Sequence, residues 1–214
     1  MPSRISILML LMIAPFATAE ERRTFTVSVD RKPSGTTQLS IQKRDDGSVV
    51  ATTQADVTVR IAFITYKYAF RGMEVWKNGK LTEVATATND NGRKHSVTLL
   101  PGREGLDVVA DGKASNLKGD FWLTTYWKLP AEGQRGPKVT LLDADTGKLI
   151  EAKLERVGKE KLTVLSEVAE CEHYRLSGGV QVDLWFDADG RLVRQESIEE
   201  GHRTVLELSR LTKD

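Results

Sequence analysis

Apolar and polar residues alternate along most of the chain beyond residue 24. Phe25, Val27 and Val29 fall on one phase, Leu39 and Ile41 repeat it, and Val57, Val59, Ile61 and Phe63 extend it. A period of two puts successive side chains on opposite faces of a strand, one facing a core and one facing water. The pattern predicts half-buried strands. At Phe63-Ile64 the phase slips by one residue, after which Ile64, Tyr66, Tyr68 and Phe70 share a face. A slip turns every side chain over, so a bulge or a tight bend is expected there.

The alternating runs are cut by glycine pairs. Asn78-Gly79, Asn91-Gly92 and Asp111-Gly112 each stand between two runs. These dipeptides tolerate positive φ at both central positions of a two-residue hairpin loop, so each predicts a β-hairpin. Asp145-Thr146-Gly147 punctuates a further pair of runs. The stretch "EKLTVLSEVAECEHYRL" is ambiguous: Leu162, Leu165, Val168 and Ala169 also suit one helix face. The surrounding pattern favours a strand pair, "LTVL" with "ECEHYRL".

One segment breaks the alternation. "NLKGDFWLTTYWKLPAEGQRGP" holds Phe121, Trp122, Tyr126 and Trp127, then Pro130, Gly133, Gly136 and Pro137. It is expected to be a long connection with one helical turn, its aromatics docking onto the sheet. About a dozen short strands follow from the whole pattern. The predicted fold is all-β: a single large antiparallel meander sheet, strongly curved or barrel-like, whose curvature protects its edges from aggregation.

The first residues read differently. Arg4 precedes an apolar run from Ile5 to Phe16, and Ala17-Thr18-Ala19 offers a small-x-small cleavage site. Residues 1–19 are expected to be a secretory signal peptide and residues 20–214 a single β-rich domain. A retained membrane anchor is the alternative, but the run is too short to span a bilayer. No later stretch is long and apolar enough to cross, so no transmembrane segment is expected in the mature chain. The expected location is the periplasm, with secretion as the alternative.

The formal charge of the chain is +1, and Arg4 lies in the leader, so the mature chain is near neutral. Charges of both signs are interspersed, which argues against nucleic acid or strong adhesion to anionic lipid. Cys171 is the only cysteine, so no intramolecular disulfide forms. No cysteine stands directly after the leader, which argues against a lipoprotein anchor. Glu170 and Glu172 flank Cys171 and would raise its thiol pKa, so a half-buried strand cysteine is the expected reading.

"DLWFDADGRLVRQE", residues 183–196, invites comparison with a calcium loop. With Gly190 at the sixth position, Asp187, Asp189 and Glu196 fall on ligand positions, but Trp185 occupies the first and cannot ligate. An Asp-Gly type I′ turn explains the same residues, with Val180, Val182, Leu184 and Phe186 alternating ahead of it.

Several phrases together carry a resemblance: "TYKYAFRGMEVWKNGKL", "TNDNGRKHSV", "YWKLP", "LLDADTGKL" and "VDLWFDADGRLV". From about Phe25 to Leu208 the chain resembles an uncharacterised family of exported bacterial β-rich proteins, a domain of unknown function. The resemblance implies an exported antiparallel β fold and no catalytic residue. At fold level it is similar to the curved sheets of periplasmic lipoprotein carriers, and fold does not fix function.

Catalytic phrases are absent: there is no G-x-S-x-G, H-E-x-x-H, P-loop or G-x-G-x-x-G. His95 and His202 flank turns, and His173 would share a strand face with Cys171. Two such residues fall short of a four-ligand zinc site, so no metal and no cofactor are expected. The remaining candidates are aromatic. Tyr66, Tyr68, Phe70, Trp76, Trp122, Tyr126 and Trp127 either fill a barrel core or line a concave apolar pocket. Arg60 and Arg71 flank the tyrosine stretch and meet either solvent or an anionic headgroup. Three functions stay open: a non-enzymatic binding module for a lipid or other apolar ligand, a structural or partner-binding envelope protein, and a hydrolase built from scattered residues.

Overall fold

The computed structural model describes residues 20–61, 63–199 and 201–213. The leader assigned to residues 1–19 lies outside the described residues. The first strands are β1 (Glu20–Val29), β2 (Lys32–Lys43), β3 (Val49–Ile61), β4 (Ile64–Lys77) and β5 (Lys80–Asp90). Then come β6 (Arg93–Gly102), β7 (Gly105–Ala110), β8 (Lys113–Leu117), β9 (Trp122–Leu123) and β10 (Val139–Leu142). The last are β11 (Leu149–Val164), β12 (Glu167–Gly178), β13 (Val182–Phe186), β14 (Leu192–Glu199) and β15 (His202–Lys213). The helical turn expected in the middle is a 3-10 turn at Glu132–Gln134. Among the described residues no helix is long and apolar enough to cross a membrane.

All fifteen strands join one sheet, in the order β8 to β1 and then β15 back to β9. The first and last strands therefore pair at its centre, Val29 opposite Thr204 and Glu21 opposite Lys213. Every pairing is antiparallel except that of β9 with β10. The two edges, β8 and β9, are separated in sequence only by residues 118–121. Laid flat, fifteen strands at roughly 4.8 Å spacing would hold those edges about 65 Å apart. Four linking residues reach no more than about 18 Å. The sheet is accordingly curled until its edges approach, although no ladder of hydrogen bonds joins them.

Side chains close the seam instead. The β10–β11 turn leans against the opposite edge. There a Cβ on Gly147 would stand 2.8 Å from Ala110 Cβ and 3.3 Å from the Val97 methyls. The stretch from Phe121 through β9 to Trp127 turns inward, and Phe121, Trp122, Tyr126 and Trp127 share one buried core with Leu99, Leu141, Leu154 and Leu184. Tyr126 takes a left-handed φ of 50°, uncommon for a bulky residue, as the segment turns after β9. The interior is thus a packed core with the aromatic insert as its filling.

Turns follow the glycine pairs. Asn78-Gly79, Asn91-Gly92 and Asp111-Gly112 hold consecutive left-handed φ values, as type I′ turns require. Two further turns of this kind have no glycine, Asp30-Arg31 and Leu165-Ser166. Asp30 offsets its strain by accepting from the Arg203 amide at 3.0 Å. The phase slip resolves as a tight bend: Ile61 pairs with Ile64, so a two-residue loop reverses the chain.

The Asp187–Gly190 turn departs from the expected type I′ form. Gly190 is its left-handed residue (φ 72°), its amide donates to the Asp187 carbonyl at 2.9 Å, and the register shifts between Trp185 and Phe186. This is a type I turn closed by glycine with a bulge, a geometry that leaves Asp189 out of the left-handed region. The Asp187 carboxylate accepts from the Asp189 and Arg191 amides and from Arg191 Nε, and Asp189 pairs with Arg191 at 2.7 Å. Its oxygens are taken up inside the turn.

Candidate functional site

Along β4 the inward phase runs through Tyr66, Tyr68, Phe70, Gly72, Glu74 and Trp76. Gly72 has a specific reason: a Cβ there would lie 2.6 Å from the Phe70 ring, which folds over it. Tyr66 and Trp76 are about 33 Å apart at strand rise. The aromatics proposed from sequence therefore divide between two ends of the curled sheet and do not converge on one pocket.

At the Trp76 end, the Glu74 carboxylate is the organising group. It is 2% exposed. Thr125 Oγ1 donates to it at 2.5 Å, and the indole N–H groups of Trp76 and Trp127 each donate at 2.9 Å. Burial pushes its pKa up, against the pull of these three donors and of the Lys128 charge. Lys128 Nζ sits over the Trp76 ring at 3.6 Å, and burial lowers its pKa to about 8. Trp127 packs edge-on to Trp76, and Arg23 donates to the Trp127 carbonyl at 3.0 Å. Trp122 donates to the Lys128 carbonyl and packs edge-on to Tyr126. This end is a lock that holds the insert inside the sheet.

At the other end, Asp145 plays the matching part. Tyr68 Oη donates to it at 2.9 Å and Thr88 Oγ1 at 2.6 Å, while Thr86 donates to the Ala144 carbonyl. Burial raises the Asp145 pKa, and burial with the neighbouring carboxylate raises that of Tyr68. Tyr66 is 38% exposed and donates to Asp90 at 2.6 Å. Phe70, Trp76, Trp122, Tyr126 and Trp127 are all buried. Arg71 forks onto Asp56 and the carbonyls of Ala55 and Phe70, whereas Arg60 stands exposed.

Sequence reasoning missed Glu74 and Asp145. The signal for Glu74 was present, since a carboxylate occupies a core phase between Phe70 and Trp76. Asp145 carried none, because the turn around it explains the residue without an interior contact.

The histidines separate as well. His95 and His202 flank turns and bind Asp111 and Asp30. His173 is 4% exposed, stacked on Trp185 at 4.3 Å, with Nδ1 2.7 Å from Glu160 and Nε2 2.6 Å from Asp183. Trp185 also donates to Glu160, and Arg175 donates to Asp183. Cys171 is buried, and desolvation followed by the Asp187 charge raises its thiol pKa. No group of three or more His, Cys, Asp and Glu among the described residues has metal-binding geometry.

The His173 clamp has a measurable weight. His173→Phe keeps the stack on Trp185 but removes both ring contacts to carboxylates. It is expected to cost about 1–2 kcal/mol in urea denaturation, with His202→Phe near zero as the exposed control.

Residues 25–209 match the family described as domain of unknown function (DUF6134). The chain belongs to the DUF6134 family. Among curated proteins none matches the sequence. One similar solved structure is the crystal structure of a β-barrel-like protein of domain of unknown function DUF1849 from Brucella abortus. It shares 9% identity with a TM-score of 0.65, over 92% of this chain and 98% of that one. At that identity the likeness shows the fold alone: the DUF6134 chain has the β-barrel-like architecture expected from its alternation.

Proposed function

We propose that this DUF6134 protein is an exported, non-enzymatic protein of the cell envelope that acts through its outer surface, as a structural or partner-binding element. The observation that carries this reading is the filled interior. Of the aromatic residues that would line a ligand pocket, Phe70, Trp76, Trp122, Tyr126 and Trp127 are buried in the packed core. Two clefts, one beside Trp76 and Phe121 and one beside Cys171 and Asp187, hold only about 10 Å³ and 80 Å³. A small-molecule site commonly needs roughly 300–1,000 Å³. Both Glu74 oxygens and Asp145 Oδ1 are occupied by protein donors, so the two carboxylates act as anchors in this reading. Export rests on the leader read in residues 1–19.

Binding of an apolar ligand inside would require the insert to leave Glu74. Native mass spectrometry of protein purified from the envelope tests this. The expected mass is that of the polypeptide alone, with no saturable tryptophan quenching by palmitate. A stoichiometric acyl lipid, or saturable quenching, would overturn the proposal in favour of a carrier.

A further inference from the structure

We propose that the β3–β4 hairpin tip docks this protein onto an anionic lipid surface. The inference goes beyond the preceding proposal and stands on different residues.

The register sets the tip apart. β2 pairs with β3 only as far as Gly35 opposite Val57, and β5 meets β4 only from Asp90 opposite Tyr68. Beyond these points, Thr58 pairs with Lys67 and Arg60 with Thr65 as a two-stranded ribbon outside the neighbouring ladders, tied at its base where the Asn91 amide donates to the Lys67 carbonyl and Tyr66 to Asp90. Its tip reaches about 10 Å past these contacts. Such ribbons are marginal by themselves, and exposed apolar groups at their ends gain nothing from the fold. Yet Phe63 is 104% exposed and Ile64 71%.

Charge selects the occupant. Residues 57–68 contain Arg60 and Lys67 and no acidic residue. Both cations are exposed, one on each strand, three residues behind Phe63 or Ile64. The adjacent turns at this end of the meander add exposed Arg31, Lys32, Arg93 and Lys94. The acids at this end sit at the ribbon's base and not on it: Asp30 holds His202, Asp111 holds His95, Asp90 accepts from Tyr66 and Glu199 from Ser197. An aromatic and a β-branched side chain at a tip, with cations about 10 Å behind, match the acyl boundary and the phosphate layer of a bilayer. Two apolar side chains give weak, reversible attachment, with local cations adding attraction to anionic headgroups. The near-zero net charge of the mature chain excludes strong adhesion and is compatible with this local contact.

Flotation of residues 20–214 with vesicles tests the proposal. Phosphatidylglycerol and phosphatidylcholine in equal parts are compared with phosphatidylcholine alone. The expected result is binding to the anionic vesicles, weakened at about 0.5 M salt. Phe63→Ser with Ile64→Ser should weaken it by about tenfold or more. Arg60→Gln with Lys67→Gln should weaken it by about tenfold and flatten its salt dependence. Urea midpoints should match the parent, because neither pair touches the core. Absence of binding to anionic vesicles, or binding unchanged in the serine pair, overturns the proposal. So does a tip-dependent self-association without lipid, which would assign the apolar pair to a protein contact.

Discussion

Glu74→Ala is expected to lower stability by about 3–5 kcal/mol, because it strands three donors in a dry interior. The Trp76 and Trp127 indoles and the Thr125 hydroxyl all point at this carboxylate. None has water as a substitute partner at 2% exposure. Two of them, on Trp127 and Thr125, belong to the insert, so the change should loosen the filling before the wall. Urea denaturation gives the magnitude, and tryptophan emission should shift to the red at denaturant concentrations below global unfolding. Glu74→Gln keeps acceptors but turns an amide N–H₂ toward donors, so it should fall between parent and alanine. A stability loss below about 1 kcal/mol for Glu74→Ala would remove the lock from the description.

The same residue predicts a pH slope. Burial raises the Glu74 pKa above the roughly 4.3 of an unfolded glutamate. Between those two values the folded chain holds more protons than the unfolded one. Stability from this group is therefore full below about pH 4.3 and is lost as pH rises through the folded value. Glu74→Gln should abolish that component. Lys128 acts oppositely at alkaline pH. Its folded pKa of about 8 means the unfolded chain binds more protons above it. Stability should rise from there to about pH 10.4.

Gly147→Val should cost about 3 kcal/mol by forcing the seam apart. Two effects add. A valine at φ 70° is strained, and its Cβ would press on Ala110 and Val97 across the edges of the curled sheet. Gly92→Val is the control, since Gly92 shares the left-handed φ (97°) but opens onto empty space. Its cost isolates the backbone term. Hydrogen exchange should accelerate in β7, β8, β9 and β10 of the Gly147 variant and stay unchanged at the β1–β15 pairing. Equal costs for both substitutions would mean that the edges do not meet through this turn.

The wall of the molecule was legible because strand period and Asn-Gly turns are local properties. Val57, Val59 and Ile61 state their strand within five residues. The turns at Asp30-Arg31 and Leu165-Ser166 were not legible, since neither pair has the glycine that normally marks left-handed φ. The closure was hidden for a different reason. β9 contains only Trp122 and Leu123, too short to show any period, and it pairs in parallel with β10 while no ladder crosses the seam to β8. The aromatics were recognised as a group, but their division between two carboxylates depends on contacts over more than fifty residues, such as Thr125 to Glu74. His173 was noticed beside Cys171. Its partners, Glu160 and Asp183, arrive from strands on either side.

The pairing of β1 with β15 has a temporal corollary. A polypeptide emerging from its amino end can assemble the wing from β1 to β8 by neighbour-to-neighbour contacts, and later the wing from β9 to β14. No backbone ladder joins the wings until the closing strand arrives and zips Val27 beside Leu206. Ribosome-bound chains lacking that strand would present two half-walls, each with an unpaired flank at β1 or β14.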